Sequence, residues 1–151
     1  QEAAAPSEAL DAMRLLECSA PARVLALCCG NGRHAVALAA LGYEVTGVDL
    51  SVAYLSLASV SALARGVSVE WVRDDIRRFS RPGVFDVAII MWNAFGYFED
   101  DSHDVAALRS AFESLRPGGR LLIQTHGRES TARKFVRKDW FEIGDTLVLD
   151  Q

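Results

Sequence analysis

The 151-residue sequence lacks several things that whole classes of function need. Lysine and arginine total 16 against 20 aspartates and glutamates, a formal net charge of −4. The broad positive field that nucleic-acid binding draws on is therefore missing. Cysteine is scarce: Cys18, Cys28 and Cys29 form an odd set with two adjacent in an apolar run. That excludes a disulfide framework and reads as buried thiols in a reducing cytoplasm. No Cys-x-x-Cys pair or histidine cluster offers a metal site. Long apolar runs are missing too, since DVAIIMWNAFGYF is short and interrupted by Asn93. The opening QEAAAPSEALDAM has no basic start followed by an apolar block, so no signal peptide is expected. Its missing initiator methionine points to a trimmed chain or a fragment. What is present is 50% hydrophobic and 24% charged, the profile of one soluble globular domain.

Along the chain, apolar residues alternate between helix-like and strand-like spacing. Ser7 is placed to cap a helix through EALDAMRLLEC, with Leu10, Met13, Leu15 and Leu16 as its stripe and Pro21 beyond its end. RVLALCC is a strand, followed by a glycine turn and the helix RHAVALAAL, which Gly42 closes. YEVTGVD is a strand, and SVAYLSLASVSALA is a helix capped by Ser51 and ended by Gly66. VSVEWV and FDVAIIMW are further strands, the second apolar enough to be buried on both faces. DSHDVAALRSAFESL is a helix with acids in its first turn, RPGG a turn and GRLLIQT a fifth strand. This alternation predicts a doubly wound α/β fold, a parallel sheet with helices on both faces. Beyond it, ESTARKFVRK reads as a helix, DWFEIGD as a turn-rich link and TLVLDQ as a strand without a visible partner.

In such folds the ligand lies beyond the carboxyl ends of the strands, near the first crossover. Gly30 and Gly32 follow the first strand, where missing side chains let backbone N–H groups approach a ligand. Asp49 ends the second strand, 19 positions after Gly30, where a carboxylate can accept both hydroxyl hydrogens of a ribose. An adenosine-containing cofactor suits both features. Gly30-Asn31-Gly32-Arg33-His34-Ala35 also fits the G-x-G-x-x-A dinucleotide fingerprint. Alone, the turn leaves a nicotinamide cofactor and S-adenosylmethionine open.

The wider pattern separates them. VLALCCGNGRHAVALAALGYEVTGVDLS, VEWVRDDIRRF, FDVAIIMWNAFGYF and LRPGGRLLIQT follow in order over roughly residues 20–127. Together they resemble the class I S-adenosylmethionine-dependent methyltransferases, in detail small bacterial members with CCGNGRH and a WNAFGYF-like segment. The resemblance implies a Rossmann-like, mostly parallel sheet of order 3-2-1-4-5, with S-adenosylmethionine as cofactor and no metal. It implies that Gly30 and Gly32, beside Cys29, approach the methionine and ribose portion. Asp49 would hold the ribose hydroxyls, with Leu50 against the adenine. Asp75, with Asp74 before it, would accept from the adenine amino group, and the Ile76 backbone would read the ring edge. Trp92 and Asn93 would lie beside the sulfonium and methyl. Asn93 and His126, which follows the fifth strand, are the catalytic candidates. Plainer readings stand beside these: Asp74 and Asp75 as a solvated loop, Trp92 as a core aromatic, His126 as a structural histidine. His103 sits among acids, and His34 reads as a packing or capping residue.

Two departures qualify the resemblance. The family pattern carries an acid where Ala26 stands, one that helps organise the turn and the cofactor's amino group. Losing a charge-assisted hydrogen bond costs about 1.5–3 kcal/mol, so cofactor binding is expected to be weakened unless another group compensates. The family's full sheet has seven strands, and this sequence shows five plus TLVLDQ, so the last two are expected to be lacking. The chain thus divides into a helical segment (1–22), an S-adenosylmethionine-binding core (23–127) and a helix with the start of a truncated substrate-binding segment (128–151). Methyl transfer to a small-molecule nucleophile, at oxygen, nitrogen or carbon, is the expected function. A methyltransferase-like scaffold with weakened cofactor binding and a nicotinamide-dependent oxidoreductase are the alternatives. Nucleic acid and membrane are not expected as partners, and a homodimer stays open.

Overall fold

The computed structural model describes residues 4–127, 139–143 and 146–150. The two most apolar runs, β1 (Arg23–Leu27) and β4 (Phe85–Ile90), lie next to each other inside a five-stranded sheet of order β3-β2-β1-β4-β5. Its other strands are β2 (Glu44–Asp49), β3 (Glu70–Arg73) and β5 (Leu115–Ile123), and every pairing is parallel. Successive side chains point to opposite faces, which divides the core in two. Val24, Ala26, Val87 and Ile89 enter one half, closed by helices α1 (Ala5–Leu15) and α2 (Arg33–Ala40). Leu25, Leu27, Ala88 and Ile90 enter the other, closed by α4 (Asp101–Ser114) with Ile76 and Phe79. Helix α3 (Val52–Ala64) packs against α2, β2 and β3. This is the expected doubly wound arrangement, with the expected strand order.

Helix ends follow their local chemistry. Ser51 caps α3 by accepting from the Tyr54 N–H at 3.3 Å. Past α2, the Gly42 and Tyr43 N–H groups return to the carbonyls of Ala39 and Leu38, with Gly42 at φ +90°. Glycine takes that left-handed conformation at little cost. The first helix departs from expectation. Ser7 is not its cap but lies inside it, donating to the Ala4 carbonyl, with Pro6 in the first turn. Its expected stripe is half right: Met13 and Leu16 are buried beside Ala5, Ala9 and Ala12, whereas Leu15 is 76% exposed and Leu10 38%. Alanines let the helix approach α2 closely, and this sets its rotation.

The RPGG segment is a bulge within β5 rather than a turn before it. Leu115 pairs with Phe85 and Arg120 with Val87, so the extra residues loop out. After the sheet, DWFEI is not a turn-rich link but strand β6 (Asp139–Ile143), antiparallel to β7 (Thr146–Asp150). The TLVLD strand therefore has a partner, in a hairpin assigned to a sheet of its own. The expected helix over ESTARKFVRK lies outside the described residues.

Trp71 of β3 governs packing on the α2–α3 side. A Cβ on Gly47 would stand 2.5 Å from its ring, and one on Gly32 would stand 2.6 Å from its ring and 2.7 Å from Ala58. Both glycines are therefore fixed by close approach. Gly47→Ala is expected to lower folding stability by about 1–3 kcal/mol through overpacking, read as a lower urea midpoint at unchanged m-value.

Candidate functional site

The carboxyl ends of β1 and β2 are joined by the Asp49 side chain. Its Oδ2 accepts the Gly30 N–H at 2.7 Å and its Oδ1 the Ser51 N–H at 2.9 Å. The turn is left-handed at Cys28 (φ 51°), Gly30 (φ 54°) and Gly32 (φ 77°), which reverses the chain into α2. At Gly30 an added Cβ would meet nothing within 4 Å, so the backbone is bare toward the space in front of it. Gly32, by contrast, turns its missing side chain to Trp71 and Ala58. Cys28 and Cys29 are half-buried, and burial, followed by the Asp49 charge, pushes their thiols up to about 11 and about 12. Both stay protonated and serve as wall rather than nucleophile.

That space is a cavity of about 530 Å³ lined by residues 26–31, by Arg33, His34 and Ala35 of α2, by Tyr54, and by Ile89, Met91, Trp92 and Ala94 at the end of β4. Trp92 (φ 59°) and Asn93 (φ 57°) are left-handed as well. Non-glycine residues held in that region concentrate at sites where the surroundings fix the backbone. Gln124 does so here: its Oε1 accepts from Trp92 N, its carbonyl accepts from Asn93 N, and its own N–H donates to the Ile90 carbonyl. The Asn93 side-chain oxygen in turn accepts the His126 N–H, joining the ends of β4 and β5.

A carboxylate from outside the sheet backs one wall. Glu8 of α1 sits one turn from Ala5 and Ala12, on the buried alanine face. It accepts from Arg33 Nη1 at 2.9 Å and pairs with His34 Nε2 at 2.8 Å. The Trp92 indole N–H lies 3.2 Å from both of its oxygens. The Arg33 guanidinium stacks 4.3 Å over the Trp92 ring. Burial pushes the Glu8 carboxyl up, but the bonds from His34 and Trp92 and the Arg33 charge outweigh it and hold it below its usual range. Burial and the Arg33 cation hold the His34 imidazole below its usual value despite Glu8. The neutral ring therefore donates its Nε2 proton to the carboxylate.

A family model described as a methyltransferase domain matches residues 24–119, the sheet and cavity just described. The chain belongs to the class I S-adenosylmethionine-dependent methyltransferases. It is 32% identical over 123 residues to YqeM of Bacillus subtilis, named a methyltransferase, covering 80% of this chain and 49% of that one. It is 31% identical over 134 residues to a ubiquinone biosynthesis O-methyltransferase of Xanthomonas euvesicatoria, covering 84% and 54%. A TehB-like S-adenosylmethionine-dependent methyltransferase of Corynebacterium glutamicum superposes with a TM-score of 0.65 at 25% identity, covering 79% and 60%. The chain spans about half the length of the curated relatives it matches.

The methyltransferase fold distributes the expected site residues unevenly. Cys29, Gly30 and Trp92 line the cavity; Asp49 stands behind it through Gly30. Leu50 is 62% exposed, Ile76 is in the core, and His126 is exposed. Asp74 and Asp75 are committed to their own loop. Asp74 accepts from Asp75 N and Arg78 Nε; Asp75 accepts from the Arg77 backbone N–H and guanidinium. Glu8, Arg33, Cys28 and Tyr54 escaped the sequence analysis as site residues. The available signal for Glu8 was a lone charge on an alanine face.

The Arg77 hydrogen bonds outweigh burial and hold the Asp75 carboxyl at about 2. A carboxylate lowered on folding stabilises the fold above its unfolded pKa, and that contribution is lost as pH falls through the folded value. Arg77→Met is therefore expected to lower the urea midpoint at about pH 6, with the gap to wild type closing as the pH approaches about 2.

Proposed function

We propose that this domain binds S-adenosylmethionine across the strand ends and directs its methyl group to a small-molecule nucleophile. The observation that carries this reading is the bare Gly30 backbone held by Asp49 at the mouth of a 530 Å³ cavity. The residues suit the cofactor. Each Asp49 oxygen accepts one backbone N–H and keeps a further lone pair for a hydroxyl. Cys29, Gly30 and Gly32 belong to the turn that meets the methionine and ribose portion; Leu50, Asp74, Asp75 and Ile76 bound the adenine region.

When bound, the cofactor supplies an electrophilic methyl carbon, which the acceptor's lone pair takes as the sulfur keeps the carbon–sulfur electron pair. The protein's part is alignment, exclusion of water and a path for a proton. Trp92 and Met91 give the cavity an apolar wall at the end of β4. Asn93 accepts the His126 backbone N–H, a contact that supports His126 as the candidate proton acceptor beyond β5. Acidic net charge supports a small molecule over nucleic acid as the partner, and free thiols suit a reducing cytoplasm. No helix among the described residues is long and apolar enough to cross a membrane.

Calorimetric titration with S-adenosylmethionine, S-adenosylhomocysteine and NAD tests the reading. Saturable binding of the first two and none of NAD is expected. Asp49→Asn, which removes the charge, is expected to weaken both by about tenfold to a hundredfold. NAD binding, or silence from both sulfur ligands, overturns it.

A further inference from the structure

The charge balance of the cavity goes beyond what the turn motif accounts for. S-adenosylmethionine carries a sulfonium and an ammonium against one carboxylate, so its site must accept a net cation. Here the floor is apolar, built from Ala26, Leu27, Ile89 and Met91, and one wall carries the Arg33 cation. Left uncompensated, that guanidinium would repel the ligand, and repulsion inside a partly dry cavity is stronger than in water. Glu8 is placed to cancel it. It bonds Arg33, His34 and Trp92 at once, three residues that line the cavity. His34 is neutral and adds no charge. Oε1 receives the Trp92 indole N–H at 3.2 Å, a contact it shares with Oε2.

We propose that Glu8, reaching in from α1, neutralises the Arg33 cation of the cavity wall, and so shifts the ratio of the two affinities toward the cationic S-adenosylmethionine and away from the neutral thioether product. Glu8 is on this account a positioning residue: it acts through Arg33 and Trp92, and it makes up in charge for the uncharged Ala26 on β1. The inference rests on the cofactor reading above.

The test compares S-adenosylmethionine with S-adenosylhomocysteine by calorimetry on wild type, Glu8→Gln and Arg33→Met. Glu8→Gln keeps the shape and most hydrogen bonds but removes the charge. It is expected to weaken S-adenosylmethionine by about tenfold and the homocysteine by about threefold or less, so the ratio of the two constants moves. A merely structural role would weaken both alike. Arg33→Met removes the opposing charge and is expected to move the ratio the other way. It keeps the question answerable if Glu8→Gln does not fold. Wild-type binding with a ratio that neither variant moves, or that Arg33→Met moves in the same direction as Glu8→Gln, overturns this inference alone. A wild type that binds neither ligand overturns the cofactor reading and this inference with it.

Discussion

The ends of three parallel strands meet at one residue, Asp49. Its carboxylate holds the Gly30 N–H from the β1 turn and the Ser51 N–H that opens α3, and its carbonyl takes the Asp74 N–H beyond β3 at 3.3 Å. Loops leaving a parallel sheet diverge toward opposite faces, so the backbone just past the strands lacks ladder partners. A charged acceptor there replaces those partners, each such bond being worth about 1.5–3 kcal/mol. The left-handed Gly30 can then be held open without any side chain supporting it. The cavity is thus a consequence of how the sheet ends are tied.

Much of this was legible in order and period. Strand–helix alternation gave the sheet, Ser51 and Gly42 gave their helix ends, and the glycine turn with Asp49 marked one edge of the site. The misses have physical causes. In α1 Met13 and Leu16 are buried as expected, but the rest of the buried face is alanine rather than Leu10 and Leu15, because small side chains permit the closest approach to α2. Gly32 carries a constraint that the motif does not show: the space a Cβ would need there is taken by Trp71 and Ala58. DWFEIGD reads as a turn-rich link, yet its DWFEI pairs with TLVLD, since strand pairing is decided by a partner that local composition does not contain.

Ala26 posed a charge problem that a motif can raise but not solve. The substitution leaves the floor of β1 apolar, while the neighbouring turn still carries Arg33 into the cavity wall. The compensating carboxylate comes from Glu8, 25 residues before Arg33 and on a different element. A helix face of alanines with one acid at its edge is a surface shaped to bring that acid inward. Its partial burial is offset by three donors, Arg33, His34 and Trp92.

Methyl transfer from a sulfonium needs little acid or base strength, since the leaving group is already activated, and alignment decides the rate. The backbone suits that demand of the proposed reaction. Cys28, Trp92 and Asn93 are three non-glycine residues held left-handed at the ends of the adjacent strands β1 and β4. Such conformations cost about 1–3 kcal/mol each and persist only where neighbours over-determine them. Gln124 fixes Trp92 and Asn93 from just past β5, and Glu8 fixes the Trp92 indole from α1, so one aromatic wall is anchored both from the neighbouring strand and from the helix layer. A wall held in this way keeps its shape before any ligand arrives, so binding does not have to order it. Strain at the strand ends, charge from α1 and the Asp49 tie therefore converge on the turns that leave β1 and β4.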